Sequence, residues 1–486
     1  MAVKTFEAQS CHVNGKVWDA GARPRRALVD PADGHVLTSV PDSAAEDVDA
    51  AVDAARAAFD NGPWPRMSGR ERSRVLLRIS QLIQEHADEL AELESYNVGK
   101  PITLARVVDV STAVEQYEYW AALAQTLDGA TRGLPIPAFA YTVREPVGVV
   151  GAITPFNFPL ILSSSKIGPA LAAGNTIVHK PSDETPLSAL FMARLFTEAG
   201  VPDGVVNVVT GTGPVVGEAM LRHPGIDKIA FTGSSKVGRH VGAVAGQHLK
   251  PVTLELGGNG AHLVFKDADL DAAIGAVIKA FVFNTGQFCM AGPRLLVERP
   301  LYETVVAILA QAVPGVPVGD PRDPGTVVGP MAGERHLAKV EEYLALARAE
   351  GKIVAGGARR PGAGYFVEPT VVTDLPATSR VLHEEVFGPV LTVQPFDDED
   401  EAVRIANSTP YGLSAGLQTS DLARAHRVAS RLHAGIVWVN DWSMLDPAMP
   451  FGGVKGSGHG RENGPEVLEG YTRTKSVLIA MPPAQG

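Results

Sequence analysis

Cysteine is almost missing from this chain. The 486 residues hold two, Cys11 and Cys289, which excludes a disulfide framework and any cysteine-built zinc or iron–sulfur site. Histidine gives no metal signal either: the nearest pair at helical spacing, His426 and His433, lies among Arg and Ala and reads as a solvated face. No stretch approaches the roughly 18 apolar residues that a membrane helix needs. The opening MAVKTFEAQSCHVNG lacks the apolar core of a signal peptide, so the expected location is the reducing cytoplasm. Positive charge is in deficit, with 43 Lys and Arg against 54 Asp and Glu and a net charge of −11. That balance argues against nucleic acid or an anionic membrane as partner. The one basic cluster, Arg23-Pro24-Arg25-Arg26, reads as a solvated loop. Ser163-Ser164-Ser165 has no nucleophile elbow around it, which disfavours serine hydrolysis. Internal repeats and low-complexity segments are lacking too.

What is present is an ordinary globular composition, 45% hydrophobic and 20% charged, in a chain long enough for two or three domains at roughly 150 residues each. Glycine (50) and proline (36) are abundant, but they fall between periodic segments and mark ordered turns. Helical spacing runs over 43–59, 70–96 and 102–127, and an alternating strand over 138–143. From 147 the rhythm changes to short apolar runs at 147–153, 176–179, 205–209, 228–231 and 252–255, separated by helices at 160–173, 186–199, 215–222 and 237–245. Strand–helix alternation of this kind predicts a doubly wound parallel sheet, Rossmann-like, with helices on both faces. From about 258 the alternation restarts, with helices at 270–284, 302–313 and 333–350 and a strand at 294–297, so a second α/β domain is expected. The tail, 471–479, alternates as an edge strand with no partner nearby in sequence.

Two residues in odd settings carry the chemistry. Cys289 follows a helix inside the turn Asn284-Thr285-Gly286-Gln287-Phe288-Cys289-Met290. A lone cysteine is usually a small buried hydrophobe, but a turn supplies the partial exposure and amide donors that a thiolate nucleophile needs. Glu255 ends an apolar strand and is followed by Gly-Gly, at the strand end where open α/β sheets bind ligands. Alone it would be a solvated strand end; beside Cys289 it becomes a general base for water. The runs 211–217 (GTGPVVG) and 231–238 (FTGSSKVG) are weak phosphate-binding signals singly. The first is one residue too long for the Rossmann fingerprint. The second joins a strand to a helix N-terminus, where amides and Ser234 would hold a phosphate.

Taken in order, TPFNFP (154–159), KPSDETP (180–186), GTGPVVG (211–217), FTGSSKVG (231–238), LELGGN (254–259), GQFCMAGPR (286–294), EEVFGPV (384–390), YGLSAG (411–416) and PFGGVKGSGHGRE (450–462) resemble the aldehyde dehydrogenase superfamily over nearly the whole chain. The resemblance implies a Rossmann-type cofactor domain (1–127 and 147–257), an α/β catalytic domain (258–465) and a small β oligomerisation element (128–146 and 466–486). It implies NAD-dependent oxidation of an aldehyde through a thiohemiacetal and a thioester on Cys289, with Asn157 as oxyanion donor and Glu255 as general base. Lys166 falls at the position of a proton-relay lysine, although an exposed helix lysine fits the sequence equally well. It also implies a homodimer or homotetramer.

For the cofactor, the resemblance points to Thr154, Pro155, Phe156, Lys180, Ser182, Asp183, Gly213, Phe231, Thr232, Gly233, Ser234, Gly257, Glu385 and Phe387. Lys180 matches the contact to the adenosine ribose and Glu385 the grip on the nicotinamide ribose, although Glu384-Glu385 alone would read as a solvated acidic pair. Many NAD-preferring relatives carry Glu where this chain has Asp183. A carboxylate there binds a 2′-hydroxyl and repels a 2′-phosphate, so NAD is expected, with NADP left open by the shorter side chain. By family position the substrate wall comprises Phe156, Leu162, Ser165, Phe288, Met290, Trp442, Leu445 and Phe451. It carries no Arg or Lys, which favours neutral aliphatic or aromatic aldehydes. The rivals are a CoA-acylating semialdehyde dehydrogenase, whose branch generally lacks the glutamate found here as Glu255, and a non-enzymatic binding or structural protein, which would not need Cys289, Asn157 and Glu255 together.

Overall fold

A computed structural model describes residues 4–18 and 23–482. Two large sheets dominate. The first has eight strands in the order Gly458–His459, Val252–Glu255, Lys228–Thr232, Val149–Ile153, Thr176–Lys180, Val206–Val208, Cys11–Val13, Lys16–Trp18. Its five central strands are parallel, and Val149–Ile153, Thr176–Lys180 and Lys228–Thr232 are buried along their whole length. Burial on both faces explains why they read as unbroken apolar runs. The chain starts at Val149–Ile153, builds outward on one side, then returns to build on the other. That reversal is the switch point at which open sheets bind ligands.

The second sheet has seven strands, Lys352–Ala355, Thr370–Thr373, Val390–Phe396, Arg294–Glu298, Ala261–Val264, Ser414–Gln418 and Ile436–Val439, all parallel but the first. The fold is α/β, as the alternation predicts. The chain leaves this sheet and comes back to the first, where Gly458–His459 pairs antiparallel with Val252–Glu255. That return carries the segment 450–462 over the end of Glu255.

Several elements differ from the sequence reading. The helix expected over 70–96 is two, Gly69–Glu85 and Ala87–Val98, joined at His86, whose backbone leaves the helical region. The helix from Ile102 ends at Leu123 and is π-wound over Ala105–Val110. The strand Ala261–Val264 and the hairpin Arg25–Val29/Val36–Pro41 were not foreseen, being short. Arg25 and Arg26 therefore open a strand instead of lying in a solvated loop. The tail strand, Thr472–Ala480, does have a partner in its own chain. It pairs antiparallel with Ala138–Pro146, from Thr472↔Pro146 to Ala480↔Ala138, and a separation of more than 300 residues hides this from local pattern.

Candidate active site

The turn that carries Cys289 is entered through left-handed backbone. After the helix Leu270–Val282, Asn284 (φ 48°), Thr285 (φ 58°) and Gly286 (φ 71°) reverse the chain. A β-branched residue there is strained unless its surroundings hold it. They do: Asn284 Nδ2 donates to the Asn157 carbonyl (3.0 Å), Thr285 Oγ1 to the Gly329 carbonyl (3.2 Å), and Gln287 Oε1 accepts from the Ala332 amide (2.9 Å). Asn157 Nδ2 in turn donates to the Gln287 carbonyl (2.9 Å). The Asn157 loop and the Cys289 turn are thus laced together, although 132 positions apart in numbering (289 − 157). A Cβ on Gly258 would lie 2.1 Å from the Cys289 carbonyl oxygen, so only glycine lets the end of the Glu255 strand approach so closely.

Cys289 is half-buried. Its own backbone amide favours the thiolate, but burial, followed by the carboxylates of Glu385 and Glu255 and then of Glu462, outweighs it and pushes the thiol up. That shift favours the protonated thiol, so a nucleophilic role would need a base nearby. Glu255 is 2% exposed, not a solvated strand end, and neither carboxylate oxygen has a well-formed hydrogen bond among the described residues, although the Gly453 amide lies close enough to act on it. Burial and the neighbouring Glu462 raise its pKa well above 4.5; Lys166, Arg461 and the Gly453 amide pull the other way. A buried carboxylate whose pKa is raised is a stronger proton acceptor than one in water.

Lys166 is fully buried, which removes the exposed-helix reading. It lies on the helix Pro159–Ala173, which begins with proline and ends at Gly174 in the left-handed region. Its ammonium bonds Glu462 and Thr232 Oγ1 (2.6 Å), and Ser165 Oγ donates to Glu462 Oε2 (2.9 Å). Glu462 is the site residue that sequence reasoning passed over. It closes the matched segment 450–462, but its pairing with Lys166 spans 296 positions.

The expected cofactor residues gather at the carboxyl ends of the first sheet. The Thr154 amide donates to the Lys180 carbonyl (3.1 Å), and Thr154 Oγ1 lies 3.0 Å from His179 Nε2. Ser234 caps the helix Ser235–Gln247, accepting from the Val237 amide, with Gly233 packed over the Phe231 ring. Gly213 faces open space. Lys180 is buried with its ammonium on the Pro181 carbonyl (2.7 Å), leaving further donors free for hydroxyl groups; Ser182 Oγ is used by the Glu184 amide. Glu385 accepts from the Gly258 amide (2.8 Å) against Gly257, and burial pushes it up to about 7. Phe387, at φ 62°, meets Phe156 edge-on at 5.7 Å. His336, which the sequence did not flag, stacks on Phe156 at 3.8 Å. Open glycine at one end, a helix N-terminus, a buried lysine with spare donors and a buried glutamate at the other fit a dinucleotide. One three-residue group, Asp30, Asp33 and His35, has metal-like spacing among the described residues, but Arg322 already supplies the cation, 3.1 Å from Asp30 and 3.7 Å from Asp33.

The profile of the aldehyde dehydrogenase family matches residues 18–477. The chain belongs to that family. It is 45% identical over 467 residues to aldehyde dehydrogenase 1 of Tanacetum cinerariifolium, covering 96% of this chain and 94% of the relative. It is also 45% identical over 462 residues to a phenylacetaldehyde dehydrogenase of Pseudomonas fluorescens, covering 93% and 92%. Among solved structures, an NAD+ complex of an aldehyde dehydrogenase from Bacillus cereus superposes with a TM-score of 0.96 at 43% identity, covering 98% of this chain and 97% of the other.

In this aldehyde dehydrogenase the residues expected to form the substrate wall separate into groups. Phe288, Met290 and Leu162 pack together with Phe158, Phe283 and Ile161, which the sequence reading omitted. Phe451 is buried beside Glu462, to which its backbone pairs. Phe156 stands on the cofactor side, against Phe387 and His336. Ser165 is taken up by Glu462. Trp442 is wholly buried behind the turn, its indole N–H donating to the Met290 carbonyl (3.0 Å) and its ring against His262, so it supports the nucleophile turn from behind. Leu445 is exposed.

Proposed function

We propose that this enzyme oxidises a neutral aromatic or aliphatic aldehyde to its carboxylic acid with NAD, through an acyl group carried on Cys289. The observation that carries the reading is that Asn157 is bonded to the turn carrying Cys289 while a buried Glu255, from a third element, lies within electrostatic reach of the same thiol.

Cys289 Sγ loses its proton to Glu255 and attacks the carbonyl carbon. The oxygen takes the charge, and the second N–H of Asn157 Nδ2 with the Cys289 amide receives it; one such donor is typically worth about 10²–10³ in rate. Bound NAD supplies the hydride acceptor. Loss of hydride leaves a thioester on Cys289. Glu255 passes the first proton on through Glu462 to solvent and, ionised again, takes a proton from water; the hydroxide attacks the acyl carbon, the Cys289 thiolate leaves, and the acid is released. Glu462, held by Lys166 and Ser165, sits beside Glu255 as the next station for the proton. Lys180 and Asp183 would hold the adenosine ribose, Ser234 and Gly233 the pyrophosphate, and Glu385 with Phe387 the nicotinamide end.

The one cation against the apolar cluster of Phe158, Phe283, Phe288 and Met290 is Lys100, and it is already taken by Glu94 and Asp109; none is left to pair a substrate carboxylate, which supports neutral aldehydes, and the Pseudomonas relative's name points to the aromatic side. The test is a panel of aldehydes with NAD, followed by cofactor reduction with and without CoA. Turnover independent of CoA is expected, and strict CoA dependence would replace this reading with acylation of CoA.

We assign residues 1–127 and 147–257 to the cofactor domain, 258–465 to the catalytic domain, and 128–146 with 466–486 to an oligomerisation element. The strand Thr472–Ala480 is bonded to its own chain along one edge, and its neighbourhood exposes Phe139, Leu478 and Ile479. An open edge beside apolar side chains invites association, so we assign a homodimer or homotetramer. Light scattering at micromolar concentration should give at least twice the monomer mass; a monodisperse monomer would overturn it. Two free cysteines suit the reducing cytoplasm, and no helix among the described residues is long and apolar enough to cross a membrane.

A further inference from the structure

The basic cluster near the N-terminus has a use that its sequence hides. Arg26, on the strand Arg25–Val29, pairs in register with Val40 and reaches the turn that follows Lys180. Its Nη2 donates to Asp42 Oδ2 (3.1 Å), and Nη1 lies 3.7 Å from Asp183 Oδ2. Its Nε is buried and has no hydrogen-bond partner among the described residues. The separation from Asp183 is beyond hydrogen-bond length, so the two charges offset each other without being locked together. Lys180 lies within electrostatic reach of Arg26, Asp183, Asp42 and Arg335. The adenosine end is therefore a mixed cluster of both signs, whereas simple exclusion of a 2′-phosphate needs an uncompensated carboxylate.

We propose that Arg26 is a specificity-determining residue for the cofactor: its guanidinium exchanges the loose contact with Asp183 for a 2′-phosphate, so that the enzyme accepts NADP as well as NAD. Asp42 anchors the arginine during the exchange. A phosphate carries more charge than a carboxylate and accepts several N–H donors from a planar fork, so it outcompetes a 3.7 Å ion pair. The inference rests on the reading that Lys180 and Asp183 face the adenosine ribose.

The test compares ADP with 2′,5′-ADP by calorimetry, alongside kcat/KM for NAD and NADP. The wild type should bind 2′,5′-ADP and turn over NADP. Arg26→Ala, and Arg26→Gln as a variant closer in size, should lower the NADP/NAD ratio of kcat/KM and the 2′,5′-ADP/ADP affinity ratio by about tenfold, the size of one lost charge-assisted contact. Arg26→Lys should recover part of it. Unchanged ratios in both variants, or no NADP turnover in the wild type, would overturn the proposal. Lys180→Met separates the two readings. Weakening of both nucleotides places the ribose at Lys180, whereas no weakening of either removes the ribose reading even where the Arg26 ratios move as expected.

Discussion

Two buried lysines meet at the helix Pro159–Ala173, Lys100 packed against its start and Lys166 borne on it, and they are used differently. At its start, Lys100 is enclosed by Glu94 (3.2 Å) and Asp109 and lies 4.1 Å from the centre of the Phe158 ring. Glu94 spends its other oxygen on the Ser188 hydroxyl (2.6 Å) and the Leu160 amide (3.2 Å), which ties the beginning of the helix and the loop holding Asn157. Further along, Lys166 is bound to Glu462 and Thr232, but Glu255 beside them keeps both oxygens unpartnered. Folding alone would not leave a buried carboxylate in that state, because it costs stability. The first cluster fixes position, and the second, on the function proposed above, holds a proton acceptor in reserve. Changes in the second should damage turnover and spare folding, and changes in the first should do the reverse.

The largest effect should come at the group that the second cluster serves. Cys289→Ser replaces the nucleophile by an alcohol, far poorer near neutral pH. Oxidation should fall below a few per cent of wild-type kcat with the thermal midpoint and NAD affinity retained. Substantial residual turnover would rule out the covalent route. Next comes Glu255→Gln, with a steady-state loss of about 10²–10⁴, the usual worth of a general base. If hydride transfer stays faster than hydrolysis, a burst of one reduced cofactor per site precedes slow turnover. Wild-type turnover should rise with pH as Glu255 gives up its proton, with a midpoint well above 4.5. The glutamine variant should lose that limb, and identical pH profiles would take Glu255 out of the base role.

Much of this second cluster was legible in the sequence, and the first was not. Strand–helix alternation is a local signal, so the parallel sheets and their loop ends could be read from spacing. Glu255 announced itself by ending an apolar strand before two glycines, and Cys289 by its turn. Glu462, by contrast, acquires meaning only from Lys166 and Glu255, which the topology brings to it from distant parts of the chain. The same holds for Trp442, whose indole was expected in a wall and instead braces Met290, and for Arg26, which no local pattern connects to Asp183. Pairings across hundreds of residues leave no periodicity to read.

Lys100→Met tests the first cluster. Removing one partner of a buried ion pair costs about 3–5 kcal/mol because the other charges stay buried. The cost should depend on pH. Burial first, and Glu94 after it, push Asp109 from 3.8 up to about 7, against the pull of Lys100. Between those values the folded chain keeps a proton that the unfolded chain has released, so the stability that Asp109 contributes falls as pH rises through the window. Without Lys100 the proton is held more firmly still. The drop in thermal midpoint should be larger at pH 8, where the variant must take up a proton at Asp109 in order to fold and the wild type need not, than at pH 5.5, where both carry it. Equal drops at both would show that Asp109 does not carry the effect.

The smallest effect belongs to the most exposed of these charges. Asp183 is partly open to solvent and lies 3.7 Å from Arg26, so it can contribute only a fraction of what a sealed pair does. Asp183→Ala removes a hydrogen-bond acceptor for the 2′-hydroxyl and a repulsive charge for a 2′-phosphate, and it leaves Arg26 and Lys180 uncompensated. The NAD/NADP ratio of kcat/KM should fall by about tenfold, equivalent to 1.4 kcal/mol, with the thermal midpoint almost unmoved. Asp183→Glu should move the ratio the other way, since the longer side chain reaches further towards the ribose. If neither variant shifts the ratio, Asp183 does not face the ribose, and cofactor choice must lie with Lys180 and its other neighbours.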